Sequence, residues 1–166
     1  FNGSAYYVDW TDMQVTRFDP QNVSILTFVE NAADATIQGA EGDIIYKPNE
    51  NLTLFGAFSV NSTELKSVYG KAVELAPVGS QLPLTPSHQI SLRARYDWFM
   101  DNGWNAYVQG AIQTAASSYS SVVAVKRVEQ DSYTLLDASV GAVKDSWKIE
   151  LFAENLSDER AELFIN

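Results

Sequence analysis

At 166 residues and 46% hydrophobic, the chain is long enough for one domain with a sizeable core. Its formal net charge of −10, from 21 Asp and Glu against 11 Lys and Arg, argues against a nucleic-acid partner, whose phosphates it would repel. With no cysteine, disulfides and thiolate metal sites are excluded, and no apolar run is long enough for a transmembrane helix. A mean hydropathy of −0.14 does not exclude a membrane barrel, because apolar and polar residues alternating along a strand average out.

Taken in chain order, the segments read as strands with a period of two. Tyr6, Val8 and Trp10 alternate with Tyr7, Asp9 and Thr11. A less regular stretch from Ser24 to Ile37 runs on into Ala40, Gly42, Ile44 and Tyr46, which alternate with Glu41, Asp43 and Ile45. Lys47-Pro48-Asn49-Glu50-Asn51 turns the chain, and Leu52, Leu54, Gly56, Phe58 and Val60 return on one face. Residues 64–87 hold Gly70, Pro77, Gly79, Pro83 and Pro86, the composition of an exposed loop.

The clearest alternation follows. Ile90, Leu92, Ala94, Tyr96 and Trp98 share one face; Gln89, Ser91, Arg93, Arg95 and Asp97 share the other. Asp101-Asn102-Gly103 supplies a turn in which Asn-Gly tolerates positive φ. Trp104, Ala106, Val108, Gly110 and Ile112 then alternate with Asn105, Tyr107, Gln109, Ala111 and Gln113. A last hairpin spans Ser132 to Val143, turns at Lys144-Asp145-Ser146 and returns through Trp147, Ile149, Leu151 and Ala153. Lys148, Glu150 and Glu154 lie on its polar face.

The connections alternate short and long. Tight turns lie at Pro48, Asn102-Gly103 and Asp145; longer links run over 17–23, 64–87 and 116–131. This pattern predicts an all-β, antiparallel meander of about seven strands with every short turn at one end, a partial transmembrane β-barrel. Two features favour lipid as the neighbour of the apolar face. Tyr46, Trp98, Phe99, Trp104 and Trp147 cluster by the short turns, as interfacial girdles do. The apolar faces are also expected to be free of Lys and Arg, with Arg93, Arg95 and Lys148 on the other side. A soluble sandwich, with the polar face in water and the apolar face on a partner sheet, is the alternative.

Several stretches resemble the C-terminal barrel region of TonB-dependent outer-membrane receptors. They are Ala5-Tyr6-Tyr7-Val8-Asp9-Trp10-Thr11-Asp12-Met13-Gln14, Glu30-Asn31-Ala32, Gly39-Ala40-Glu41-Gly42-Asp43, Leu82-Pro83-Leu84-Thr85-Pro86-Ser87-His88 and Glu154-Asn155-Leu156-Ser157-Asp158-Glu159-Arg160. Their order and spacing match along essentially the whole chain. Ser157 stands where Thr is more usual, and Ala161 where an aromatic is common. The resemblance implies a fragment, residues 1–166, supplying about seven of some 22 strands, with the signal peptide, plug domain and final strand lying elsewhere in the parent. It implies a Gram-negative outer-membrane receptor for TonB-energised uptake of a scarce nutrient such as a ferric siderophore. Its partners would be outer-membrane lipid, its own plug, the TonB complex through the missing N-terminal part, and an extracellular small molecule. No cofactor is implied.

No catalytic or metal site is expected. His88 is the lone histidine, without a second soft ligand, and reads as structural or exposed. Glu41 and Asp43 lie two apart on the polar face and are expected to bond lumen water, the plug, or Arg93 and Arg95 rather than act in acid–base chemistry. Asp158-Glu159-Arg160 reads as a solvated loop mouth. Ser117-Ser118-Tyr119-Ser120-Ser121 reads as a polar loop, with ligand contact through the Tyr119 ring the other reading. Two competing functions are a complete small barrel for adhesion or binding, and a small outer-membrane enzyme, for which no Ser–His–carboxylate set is marked.

Overall fold

The computed structural model describes residues 1–18, 27–71 and 74–163, with the backbone alone described for 15–18, 27–32, 69–71 and 74. In chain order the elements are β1 (Asn2–Phe18), β2 (Thr27–Tyr46), β3 (Leu52–Leu65), β4 (Tyr69–Lys71), β5 (Glu74–Ala76), β6 (His88–Phe99), β7 (Asn105–Ala115), β8 (Ser118–Tyr119), a 3-10 turn (Ala124–Lys126), β9 (Glu129–Gln130), β10 (Tyr133–Lys144) and β11 (Trp147–Ala153). Seven of them form one antiparallel sheet in the order β1-β2-β3-β6-β7-β10-β11. That is the expected meander. Of the less regular stretch expected at 24–37, residues 27–37 belong to β2 and 24–26 lie outside the described residues, and the two long loops contain short hairpins of their own, β4–β5 and β8–β9.

Residues directly opposite in neighbouring strands share a face. The register therefore sorts the whole sheet. One face carries Ile44, Phe58, Leu92, Ile112 and Leu136, and also Tyr96, Val108, Val140 and Leu151. These side chains are all substantially exposed, Leu92 by 50% and Leu151 by 74%. No second layer covers them among the described residues. The sequence-based expectation that this face lacks Lys and Arg needs one correction. Lys144 pairs with Trp147 on the apolar face, but at the short-turn end, where its amine donates to the Asn102 carbonyl at 2.7 Å.

The short turns are built from local chemistry. In the β2–β3 turn, Asn49 Oδ1 accepts from the backbone N–H groups of Asn51 and Leu52, at 3.0 and 2.8 Å. Asn51 then donates through Nδ2 to the Asp97 carbonyl at 2.6 Å, tying this turn to β6. Gly103 takes φ +82° in the β6–β7 turn and Asp145 takes φ +50° in the two-residue β10–β11 turn.

The dry core sits at the opposite, long-loop end. Met13, Ala33, Ala35, Leu65, Ala76 and Leu82 form a buried cluster, with Ile37 and Val122 packed against it. The loop after β3 folds back to supply Ala76 and Leu82. Its backbone is pinned by Leu65 N–H to the Ser80 carbonyl and Gly79 N–H to the Leu65 carbonyl, both 2.9 Å, and by Leu82 N–H to Thr63 Oγ1 at 3.0 Å. The Pro- and Gly-rich composition therefore encodes a fastened loop. Leu65 is fully buried, so Leu65→Ala should cost about 2–5 kcal/mol locally. The expected readout is faster trypsin cleavage after Lys66 in the full-length gene product, with unchanged cleavage at the short-turn end.

Candidate functional site

The polar face is arranged in rows that run across the strands. The register lines up Ser4, Glu41, Ser59, Gln89, Ala115 and Tyr133 in one row, and Asn2, Asp43, Ala57, Ser91, Gln113 and Leu135 in the next. All of these except Leu135 line a hollow of about 630 Å³. Amide, hydroxyl and carboxylate groups line it together with apolar surface from Ala57, Phe58, Ile90 and Tyr133, and neither row holds a Lys or Arg. Below them, toward the short turns, the charges become mixed. Arg95 makes a forked contact with Asp97, Nε and Nη2 lying 2.9–3.1 Å from its oxygens. The same guanidinium stacks 3.7 Å above the Tyr107 ring. Lys148 and Glu150 pair at 2.6 Å on β11.

The expected links from Glu41 and Asp43 to Arg93 and Arg95 do not form. Register places the two acids beside β1 instead, so Ser4 Oγ donates to Glu41 Oε1 at 3.2 Å and Asn2 Nδ2 faces Asp43 at 3.3–3.4 Å. Arg95 spends its hydrogen bonds on Asp97, its neighbour two residues along the same face. His88 is exposed, with Ser87 Oγ 3.4 Å from Nδ1. No group of three or more His, Cys, Asp or Glu side chains that could hold a metal occurs among the described residues.

One aspect of the wall was not legible from alternation. The pairs Tyr6–Gly39, Val8–Ile37 and Trp10–Ala35 put the apolar series of β1 on the polar face, and Tyr7 and Asp9 on the other. A register shift between Trp10 and Met13 then brings Met13 into line with Ala33 in the buried cluster. Sequence alternation alone gives two series, not their direction.

At the long-loop end, the two described loops are joined. Leu84 N–H donates to the Tyr119 carbonyl at 2.8 Å. Ser118 Oγ donates to Gln130 Oε1 at 3.0 Å across β8–β9, and the Arg127 guanidinium lies 3.5 Å over the Tyr119 ring. Ser120 and Ser121 serve the loop itself, accepting from Val128 N–H and Val123 N–H at 3.1 Å. The Tyr119 ring is thus already faced by Arg127. Lys66, just beyond β3, donates to Glu64 at 2.7 Å, and this carboxylate holds its ammonium above the ordinary lysine value.

The Asn155-Leu156-Ser157-Asp158 segment closes the last strand. Asn155, at φ +51°, receives Glu159 N–H on Oδ1 and donates Nδ2 to the Glu159 carbonyl, both at 2.9 Å. Its own N–H donates to Asp137 Oδ1 at 2.9 Å, and Leu156 N–H donates to the Leu136 carbonyl at 2.8 Å. Backbone groups of β10 that β11 does not reach are satisfied by this turn. Asp158, also at positive φ, is part of the folded turn.

Residues 1–156 match the family model described as TonB dependent receptor-like, beta-barrel. The chain belongs to this family. Its members are receptors and transporters, not enzymes. The fold is similar to the ferric yersiniabactin uptake receptor FyuA from Yersinia pestis, with a TM-score of 0.73 at 17% identity over 98% of this chain. It is also similar to the ferric-catecholate import receptor Fiu from K12 E. coli, with a TM-score of 0.70 at 20% identity over 99% of this chain. This chain spans 23% and 22% of those two chains, under a quarter of each. No curated protein sequence gives a significant match. In a β-barrel of this family the polar face of the sheet corresponds to the lumen wall, the apolar face to the lipid side, and the long-loop end to the extracellular side.

Asn155 fills its left-handed position with two side-chain hydrogen bonds, which Ala cannot make. Asn155→Ala should lower the stability of the full-length gene product by about 1–3 kcal/mol, read as a lower urea midpoint with unchanged m-value. Asn155→Gly, which keeps the backbone geometry, should recover part of that loss.

Proposed function

We propose that this chain forms part of the barrel wall and extracellular loops of an outer-membrane receptor that takes up a scarce nutrient, such as a ferric siderophore, at the expense of TonB-coupled energy. The observation that carries this reading is the two-sided sorting of one sheet. Ile44, Phe58, Leu92, Val108, Val140 and Leu151 are exposed on one face, and Glu41, Asp43, Arg93, Arg95, Asp97, Lys148 and Glu150 occupy the other. Lipid on one side and a wet or plug-filled lumen on the other make both faces favourable at once, without the partner sheet that a soluble sandwich would need.

The dimensions agree. From Leu52 to Val60, at about 3.3 Å per residue and a tilt of about 40°, the apolar face rises roughly 20 Å, close to the band of a transmembrane barrel. Above it the apolar side changes character, with Tyr7, Gln38 and Ser62 in one row and Asp9, Thr36 and Glu64 in the next. On this reading the plug of the parent protein rests against the hydroxyl, amide and carboxylate rows, and the ligand reaches the joined loops first.

Two measurements test it. Leu92→Arg should destabilise the full-length gene product in dilauroyl phosphatidylcholine vesicles by about 2–4 kcal/mol, while Ser91→Arg on the lumen face should change it far less. An equal effect at both positions would remove lipid from the apolar face. In a host stripped of its own receptors, the full-length product should support uptake of iron-55 from ferric siderophores only when TonB is present. Equal uptake without TonB would overturn the energised reading.

A further inference from the structure

Two glycines on the lumen face have an aromatic ring where a side chain would be. A Cβ at Gly141 would lie 2.6 Å from both Cζ and Oη of Tyr107 and 2.8 Å from the Ile149 carbonyl, and one at Gly39 would lie 2.6 Å from Tyr6 Oη and 2.8 Å from its Cζ, with the Val60 carbonyl closer still. In both cases the tyrosine is the direct cross-strand partner of the glycine. Tyr107 is 2% exposed, although it belongs to an otherwise open wall, because Arg95 of β6 covers its other side. Gly141, Tyr107 and Arg95 therefore stack across three consecutive strands, and Asp97 fixes the outer layer.

The location of the two pairs is informative. Strand pairs β2–β3, β6–β7 and β10–β11 are joined by tight turns, which set register by themselves. Pairs β1–β2 and β7–β10 are joined by residues 19–26 and 116–132, too long to set register. These two hold the glycine–tyrosine contacts. The third pair with a long link, β3–β6, is fastened otherwise, through Asn61 N–H to the Ser87 carbonyl at 2.9 Å and the reciprocal Asn51–Asp97 contacts.

We propose that Tyr107–Gly141 and Tyr6–Gly39 are register keys that select the correct strand pairing as the barrel assembles. The apolar face cannot do this. A slip of two residues returns every side chain to its proper face and trades one aliphatic residue for another. On the lumen face the same slip places Ser139 or Val143 under the Tyr107 ring, and Ile37 or Glu41 under the Tyr6 ring. Each has a Cβ where the ring must lie.

The test uses the full-length gene product, refolded from urea into dilauroyl phosphatidylcholine vesicles and scored by heat-modifiable gel mobility. Gly141→Ala should slow folding at least about tenfold while Tyr107 is present, and several-fold less in a Tyr107→Ala background, where only the Ile149 carbonyl at 2.8 Å still crowds the new Cβ. Gly110→Ala is the control, since its Cβ would meet nothing nearer than the Asp137 carbonyl at 4.0 Å. Cysteines then report register. Gln109→Cys with Ser139→Cys probes the native pairing, and Gln109→Cys with Asp137→Cys the slipped one. Tyr107→Ala should give the slipped cross-link, and the parent sequence only the native one. Should Gly141→Ala fail to fold, recovery in the Tyr107→Ala background supports the key. Equal slowing in both backgrounds, no slowing, or no slipped cross-link after Tyr107→Ala overturns it.

Discussion

A strand in lipid has no water to satisfy its N–H and C=O groups, so every strand must be paired on both edges. The rest of this chain follows from that requirement. The seven strands of the sheet pair in their order along the chain, which lets short turns and long loops alternate between the two ends. Side chains are then free to serve two environments, because successive residues along a strand point to opposite sides. Among the described residues, stability comes from the strand ladders, with little help from a packed interior. The buried apolar cluster is accordingly small and sits at the long-loop end, where the strands project beyond the apolar band.

Freedom from a central core leaves the lumen wall chemically unusual. Glu41 and Asp43 face Ser4 and Asn2, and Arg95 faces Asp97, so many polar groups are engaged within the wall itself. Their pairings follow registry. Neighbours two apart on one face, or opposite on adjacent strands, meet at hydrogen-bond distance, while Arg93 and Glu41 lie on rows too far apart. What remains is a surface of hydroxyls, amides and fixed charges, on which the plug of the proposed receptor would rest.

The extracellular end obeys a different rule. Above the apolar band, loops can bury residues again, and the Pro-rich link after β3 does so by placing Ala76 and Leu82 on Ala35 and Leu65. The neighbouring loop joins it through Tyr119. On the proposed reading, access for a ligand is shaped by fastened loops on this side of the mouth.

The sequence by itself determined the strands, their order, the alternation of short and long links and the identity of the two faces over most of the sheet. These are local matters, set by a period of two and by turn residues such as Asn49, Gly103 and Asp145. The motifs around Trp10, Gly39, Pro83 and Asn155 also carried the receptor family, which the match over residues 1–156 bears out. Only the tertiary structure decided register. It set Tyr6 and Trp10 toward the lumen, gave Glu41 and Asp43 partners on β1 and placed Lys144 on the apolar side. It also brought the apolar residues of a loop onto the wall and laid Tyr107 across Gly141. Alternation is unchanged by a shift of two residues or by exchanging the faces, so it contains no information about which partner lies opposite. Contacts between distant residues, formed in three dimensions, supply that choice.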